Sequence, residues 1–473
     1  MRYAKPRLEF IPPRFNPWVL QVAQWSLPIL LRFRTRPWLP AGISQVETEN
    51  AEVLVDLYEQ FQAGNIRLIL AFRHPEVNDP LCMLHLLSRA VPQTARQQGI
   101  RLQFPIHSHF IYDRGMTLWA GDWLGWLFSR LGGTPIHRGK RLDRKGMKMA
   151  RSLLVQGQFP MAVAPEGATN GLSDIVSPLE PGLAQLGFWC VEDLLKANRA
   201  ETVVIVPISI QYRYLNPPWA KLDWLLSQLE ADSGLPVQQI GAEAIPNSAI
   251  PDSRDRFYTR LLRLSEALLS HMEAFYRRFY HQPLPEPIAP DFNSSPQELM
   301  VRLDTLMNTA LQVAEQYFGL PHEGTVIERC RRLEEASWTY MYRDDLIDRH
   351  TVSPLQQGLA DWVAEEADLR VRHMRLVESF VAVTGTYIQE KPTIERFTEI
   401  ALLLFDLIAR IKDRDLPRRP RLGWRQALIK IGEPISVSDR WSAYDANHRA
   451  ARQAVTDLTQ ALQVALETLM VSK

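Results

Sequence analysis

Two residues between Phe72 and Pro80 could carry acid–base chemistry. His74 and Asp79 stand five residues apart, between an apolar run and an amphipathic stretch. A loop that joins a strand end to a helix start can fold the carboxylate back onto the imidazole, which fixes the ring tautomer and leaves the other nitrogen as a base. The segment has no nucleophile of its own. The substrate would therefore supply it, most naturally as a hydroxyl that His74 deprotonates while the oxygen attacks an acyl carbonyl.

The same spacing also has a purely structural interpretation. Asp79 precedes Pro80, and an acidic N-cap followed by proline is a common way to begin a helix. His74 would then be an ordinary loop residue. Taken alone, the pair leaves both interpretations open.

Three further motifs follow His74 and Asp79 along the chain. They are Gly132-Gly133-Thr134-Pro135-Ile136-His137-Arg138-Gly139-Lys140, then Ala164-Pro165-Glu166-Gly167-Ala168-Thr169-Asn170, then Val206-Pro207-Ile208 in an apolar run. With four motifs in this order, residues 43 to about 215 resemble the glycerophospholipid acyltransferase family, the lysophosphatidate and glycerol-3-phosphate acyltransferases. Ile431-Gly432-Glu433-Pro434-Ile435 looks like the closing strand of that family.

The resemblance implies transfer of an acyl group from acyl-CoA or an acyl carrier protein to the hydroxyl of a glycerol phosphate or lyso-lipid. His74 would be the base and Asp79 its orienting partner. The implied substrate-binding residues are Arg73, Arg138, Lys140, Pro165, Glu166 and Gly167. Among them, Arg138 would hold the acceptor phosphate, because a guanidinium fits phosphate oxygens with two hydrogen bonds. Glu166 would contact acceptor hydroxyls, and Gly167 would let the backbone approach closely.

The third motif departs from the family pattern. Many members continue Pro-Glu-Gly with Thr-Arg-Ser, whereas this chain has Ala168, Thr169 and Asn170, so a second phosphate-binding arginine is missing. The acceptor therefore stays open, and a lyso-ornithine lipid, a diacylglycerol or a long-chain alcohol are alternatives. Two other classes also stay open, namely a non-catalytic lipid-binding scaffold and a thioesterase that activates water.

The composition excludes a disordered, collagenous or disulfide-rich protein. The chain has 473 residues, of which 46% are hydrophobic and 23% charged, with a net charge of +1. These values are typical of a folded protein of more than one structural unit and give no electrostatic reason to expect nucleic acid as a partner. Cys82, Cys190 and Cys330 are far apart in sequence, which predicts no disulfide framework. No cofactor or metal is predicted either, since no residues stand at zinc-ligand spacing.

Residues 1–40 form a basic arm around an apolar segment. Phe15 to Leu31 is a 17-residue stretch without a charge, slightly short of the roughly 20 apolar residues of a spanning helix. Its basic neighbours are Arg2, Lys5, Arg7, Arg14, Arg32, Arg34 and Arg36. The pattern predicts either an interfacial helix on an anionic membrane surface or an arm packed on the protein's own core. A cytoplasmic protein, peripheral or monotopic on the membrane, follows from the first interpretation.

The remaining patterns predict an α/β fold, a mixed sheet of the acyltransferase type flanked by helices, with a large all-α insertion. Apolar runs at 66–72, 161–164 and 203–210 predict buried strands. Helical periodicity without strands dominates from 222 to 425, with helices at 253–280, 294–318, 325–343, 355–388 and 393–413. The predicted domains are the arm 1–40, a catalytic domain 41–221, the insertion 222–425, and a closing strand and helix at 426–473.

One aromatic stripe needs its own interpretation. Trp119, Trp123 and Trp126 recur at helical spacing. Such a stripe is more often part of a core than of a membrane belt, so it predicts a buried helix face.

Overall fold

The computed structural model describes residues 3–6, 8–36, 39–137, 143–238, 251–286, 294–346, 352–412 and 418–470. The chain divides into two compact units. The sheet unit comprises the described residues of 10–137, 142–216 and 423–473. The helical unit comprises those of 217–422 together with the described part of 1–9.

The strands of the described chain are β1 (Lys5–Pro6), β2 (Ile43–Glu49), β3 (Ile66–Phe72), β4 (His109–Asp113), β5 (Gly133–Ile136), β6 (Met161–Val163), β7 (Thr202–Tyr214), β8 (Tyr342–Arg343), β9 (Arg425–Ile431) and β10 (Ile435–Ser436). The short strands β1 and β8 pair in parallel within the helical unit. The other strands form one sheet in the sheet unit.

The helices of the sheet unit are α1 (Pro17–Arg32), α2 (Ala51–Gln62), α3 (Asp79–His85), α4 (Val91–Gln98), α5 (Met116–Ala120), α6 (Asp122–Arg130), α7 (Arg144–Gln156) and α8 (Gly182–Lys196). Those of the helical unit are α9 (Trp219–Asp232), α10 (Pro251–Tyr280), α11 (Pro296–Phe318), α12 (Val326–Met341), α13 (Pro354–Glu378), α14 (Tyr387–Glu390) and α15 (Ile394–Ile411). After them, α16 (Trp441–Asp445) and α17 (His448–Met470) return to the sheet unit.

The sheet runs in the order β2-β9-β7-β3-β6-β4-β5, and β10 also pairs with β7. Its pairs are parallel except for β7 with β9 and β7 with β10. Both faces are covered by helices. The fold class predicted from the sequence, a mixed sheet flanked by helices, is confirmed.

The strand β3 lies at the centre of the sheet and is buried on both faces. Leu68 and Leu70 point into a core shared with α1, α2 and the segment of α3 and α4. Ile69 and Ala71 point into the opposite core, which α7, α8 and α17 close. This explains why β3 is apolar at nearly every position, as expected for a strand with no solvated face.

The C-terminal strand enters the sheet between β2 and β7. The closing strand predicted within 426–473 is β9, which ends at Ile431, and the short strand β10 follows after residues 432–434. The amide of Leu215 donates to the carbonyl oxygen of Trp424, with 3.0 Å between nitrogen and oxygen. The helical segment 217–422 therefore connects the adjacent ends of two antiparallel strands, β7 and β9.

The helical unit differs from the prediction in two places. The helix α9 was not predicted, and Arg260 of α10 holds it through a buried ion pair with Glu230, at 2.9 Å. The helix predicted over 355–388 is α13, which ends at Glu378, so the prediction is wrong for residues 379–386, and its last two residues belong to the separate helix α14. The segment that follows, FVAVTG at 380–385, contains β-branched residues and glycine, which weaken helix propensity.

Two of the three tryptophans predicted to be buried are exposed, and the side chain of the third, Trp119, lies outside the described residues. Trp123 is 40% exposed and Trp126 is 54% exposed, so the prediction of a core position is wrong for both. Both side chains belong to α6, which contacts α1. Arg36 lies over the Trp123 ring, 4.8 Å from its centroid.

Candidate active site

The first motif lies where the central strand ends. The amide of Arg73 still donates to the Ile208 carbonyl, at 2.9 Å, so the β3–β7 pairing continues to this residue. His74 follows in a short loop, and α3 begins at Asp79. The site thus stands outside the carboxyl end of a central parallel strand, the edge at which open α/β sheets place ligand sites.

His74 and Asp79 are in direct contact. Nδ1 of the imidazole lies 3.0 Å from Oδ2 of Asp79. The carboxylate is fully buried, whereas the histidine side chain is 23% exposed. When the carboxylate accepts from Nδ1–H, the lone pair of the ring is at Nε2.

Asp79 accepts two further hydrogen bonds. The amide of Glu76 donates to Oδ2 at 2.7 Å, and the hydroxyl of Tyr212 donates to Oδ1. Burial raises the pKa of the Asp79 carboxyl, and the hydrogen bonds from His74, Tyr212 and Glu76 act against that rise. The N-cap of α3 is Asn78. The alternative in which Asp79 serves only as a helix cap does not describe this carboxylate.

Tyr212 was not identified from the sequence. Burial and the nearby Asp79 charge raise the pKa of its phenol, so it stays protonated and donates. Arg425 of β9 lies over its ring, 4.8 Å from the centroid, and pairs with Glu76 at 2.8 Å. The available signal was the two-residue period of β7, which puts Tyr212 on the same face as Ile208 and Ile210.

Glu166 is buried and fixes the loop beside His74. Its Oε1 accepts from the amide of His74 at 2.8 Å, and its Oε2 accepts from the amide of Ser177 at 2.9 Å. The side-chain amide of Asn170 donates to Oε2 at 3.2 Å. Both oxygens therefore bond protein groups, so Glu166 ties the Pro-Glu-Gly loop to the backbone of the histidine.

Arg73 lies behind the histidine with its side chain completely buried. Its Nε is 3.4 Å from Glu166 Oε1, a charge contact. Its guanidinium also donates to the carbonyls of Leu172 and Ser173, at 3.1 and 2.6 Å. This arginine thus holds the segment after the Pro-Glu-Gly motif from inside the protein.

Gly167 occupies a position that requires glycine. Its φ is +73°, and a Cβ there would lie 2.2 Å from Oε1 of Glu180. The carbonyl of Pro165 accepts from the Glu180 amide at 2.8 Å. The turn and the close approach of Glu180 thus explain the glycine of the motif. Arg138 and Lys140, also predicted to bind substrate, lie outside the described residues.

The sheet, its helices and the His74–Asp79 contact define an α/β protein with a histidine–carboxylate pair at the end of a central strand. Residues 46–211 match the family model described as Acyltransferase. This part of the chain is a domain of the glycerophospholipid acyltransferase family, which confirms the resemblance carried by the motifs. The domain supports acyl transfer as the general activity. A search of curated proteins found no match to the chain.

Proposed function

We propose that the protein transfers a fatty acyl group from an acyl thioester to the hydroxyl of a glycerol phosphate or lysophospholipid. One observation carries the proposal. The 3.0 Å contact holds Nδ1 of His74 on a buried carboxylate, while part of the imidazole remains exposed to a substrate. This is the arrangement that direct general-base catalysis requires.

In the proposed reaction, Nε2 of His74 takes the proton of the acceptor hydroxyl as its oxygen attacks the thioester carbonyl carbon. A new C–O bond forms, and the carbonyl electron pair moves to the oxygen of a tetrahedral intermediate. When that pair returns, the C–S bond breaks and the thiolate leaves. The imidazolium gives its proton to the thiolate, which restores neutral His74. Asp79 stabilises the transient positive charge throughout.

The proposal is tested by an assay of donor against acceptor. Purified protein would be offered acyl-CoA and acyl carrier protein, each with glycerol 3-phosphate, lysophosphatidate, lyso-ornithine lipid, diacylglycerol and a long-chain alcohol. An acylated glycerol phosphate or lysophospholipid supports the proposal, and a different acylated lipid replaces the acceptor. Fatty acid released at the same rate with and without acceptor would indicate a thioesterase instead.

Arg138→Ala is expected to raise the KM for the acceptor far more than the KM for the donor, because a lost phosphate contact removes mainly acceptor binding. Lysine at this position should restore the acceptor KM only in part, since an ammonium cannot make the two parallel bonds. Steady-state kinetics with each substrate varied in turn measure both constants. A defect confined to the donor KM would place Arg138 on the donor side.

We also propose that α1 docks the sheet unit on a membrane surface. Leu20, Leu27 and Leu31 point inward and are buried. On the other side of the helix, a stripe of exposed apolar side chains consists of Trp18, Val22, Trp25, Ile29 and Phe33, each more than half exposed. This exposed stripe, together with Trp126 on the adjoining α6, suits the headgroup and acyl boundary of a bilayer.

The basic residues around α1 also support docking at the surface of a bilayer. Arg14 precedes α1, and Arg32, Arg34 and Arg36 lie at or after its end. Each basic residue near an anionic surface contributes about 1 kcal/mol. Separately, the described residues include no helix with the length and hydropathy of a membrane span.

The double substitution Trp18→Glu with Trp25→Glu is expected to lower binding to anionic vesicles at least tenfold, because it places two charges in the face proposed to enter the boundary. Cosedimentation with phosphatidylglycerol vesicles measures the binding, and salt should weaken it for the unaltered chain. Trp362→Glu is the matched control, since Trp362 is 67% exposed on α13. Equal binding by all three proteins would assign membrane contact to another surface.

A further inference from the structure

The helical unit contains a large apolar cavity. Its walls come from α10, α11, the end of α13, residues 380–388 and α15. Its volume is about 1140 Å³, counting the part that opens to solvent. Because this volume includes open space, the length and the lining of the walls decide what ligand fits.

The walls are long in one direction. On α10 the lining residues recur every three or four positions from Tyr258 to Tyr276, and on α11 from Pro296 to Ala310. At about 1.5 Å of rise per residue, these stripes extend for about 27 and 21 Å. An acyl chain of a membrane lipid spans half of a hydrocarbon core about 30 Å thick. The stripes are therefore long enough for one such chain, laid along the helices.

The lining is suited to hydrocarbon. Within the part of the chain that the structure describes, no charged residue lines the cavity. Two of its tyrosines use their hydroxyls elsewhere: Tyr276 bonds His373 Nδ1 at 2.6 Å, and Tyr387 donates to Glu399. Their rings face the cavity without an added polar group. Met272, Met300 and Met307 contribute flexible, polarizable walls that adapt to the shape of an apolar ligand.

Ion pairs and hydrogen bonds fix the helices around the cavity. Arg302 of α11 makes two bonds to the carboxylate of Glu273 on α10, at 3.0 and 2.8 Å. Arg396 of α15 donates to the backbone carbonyl of Tyr387. A cavity whose walls are fixed in this way loses little conformational entropy when a ligand enters, which favours binding.

We propose that the helical unit binds one long acyl chain in this cavity, with the polar end of the ligand at the solvent opening. The choice of an acyl chain among apolar ligands rests on the proposed function, because the same polypeptide carries a domain that transfers acyl groups. All the residues that line the cavity belong to the helical unit. Its ligand would be a free fatty acid, the acyl thioester donor or the lyso-lipid acceptor, which share this chain.

Photo-crosslinking with a diazirine-labelled palmitoyl chain tests the proposal on the full-length protein. Three probes distinguish the source of the chain, namely the free fatty acid, its CoA thioester and a lysophospholipid that carries it. His74→Ala protein is used beside the unaltered chain so that the thioester is not consumed. Mass spectrometry of the crosslinked peptides should place label on α10, α11 or α15. Label confined to residues 46–211 would overturn the proposal.

Two substitutions in the wall sharpen the test. Ser265→Trp fills the cavity, and Leu303→Asp puts a charge into it. Each should lower labelling of the helical unit at least tenfold. Val301→Asp is the matched control, because Val301 lies on the same helix, is 66% exposed and does not line the cavity. Thermal melting confirms that each variant is folded, and unchanged labelling of both folded wall variants would overturn the proposal.

The labelling experiment tests the acyl-chain site independently of the proposed catalytic function. Labelling that depends on Ser265 and Leu303 supports the cavity even if no donor and acceptor pair gives an acylated product. Conversely, the two substitutions could leave labelling unchanged while the protein still transfers acyl groups. That result would overturn the proposed acyl-chain site and would not affect the proposed catalytic function. The probe with the strongest dependence on the two wall residues identifies the source of the chain.

Discussion

His74→Ala is expected to lower kcat for acyl transfer by about 10² to 10⁴-fold, the usual contribution of a positioned general base. The side chain is partly exposed, and Nδ1 of its ring bonds Asp79. Removing this side chain should therefore leave the fold intact. Kinetics with the donor and acceptor found active measure the loss. His271→Ala, which alters an exposed histidine on α10, is the matched control and should keep full activity.

Substitutions along the hydrogen-bond chain should give a graded series. Asp79→Asn should remove most of the activity, because an amide cannot stabilise the imidazolium as a carboxylate does. Tyr212→Phe removes one of the donors to Asp79 and should cost less, about tenfold in kcat, because the carboxylate and the His74 contact remain.

If folded His74→Ala protein kept more than a tenth of the activity, the barrier would have risen by about 1.4 kcal/mol at most. Another group would then be the base.

The predictions from sequence succeeded where the signal is local. The apolar run 66–72 coincides with β3, because a strand buried on both faces has to be apolar throughout. β2 gave no such signal. Its sequence ISQVETE lacks an apolar run, because half-buried and exposed positions alternate from Ser44 to Glu49, as expected for a strand with one solvated face.

The parts of the site that escaped prediction depend on partners distant in sequence. His74 and Asp79 are five residues apart, and a loop can be inferred to join them. Arg425 meets Glu76 across 349 residues, and only the strand register that places β9 beside β7 creates this contact. Tyr212 reaches Asp79 through the same register. Spacing along the chain contains no information on such contacts.

Two motif residues also make contacts within the protein that their motifs do not reveal. Glu166 and Arg73 were predicted to bind substrate from their place in the motifs. Their polar atoms bond the backbone around His74 and the segment 172–177. A motif marks residues that a site needs, but it does not separate a group that touches the substrate from one that holds the loop.

Replacing residues 217–422 with a turn of two to four residues, most of them glycine, is expected to give a folded sheet unit. Tyr214 pairs with Arg425 in antiparallel register, and the Leu215 amide bonds the Trp424 carbonyl at 3.0 Å. A short turn can therefore close β7 and β9 as a hairpin. Circular dichroism, size-exclusion chromatography and a cooperative melting transition check the outcome.

Ending the chain after Asn216 should instead abolish folding. That truncation removes β9 from between β2 and β7, and it removes α17, whose buried side chains include Leu458, Leu462 and Leu466. Loss of one buried leucine side chain costs about 2 to 5 kcal/mol, and a domain has only about 5 to 15 kcal/mol to lose. The exposed edge of β7 and the uncovered apolar face also favour aggregation. A truncated chain that stayed monomeric and melted cooperatively, while the hairpin chain aggregated, would show that residues 423–473 are not part of the sheet unit's fold.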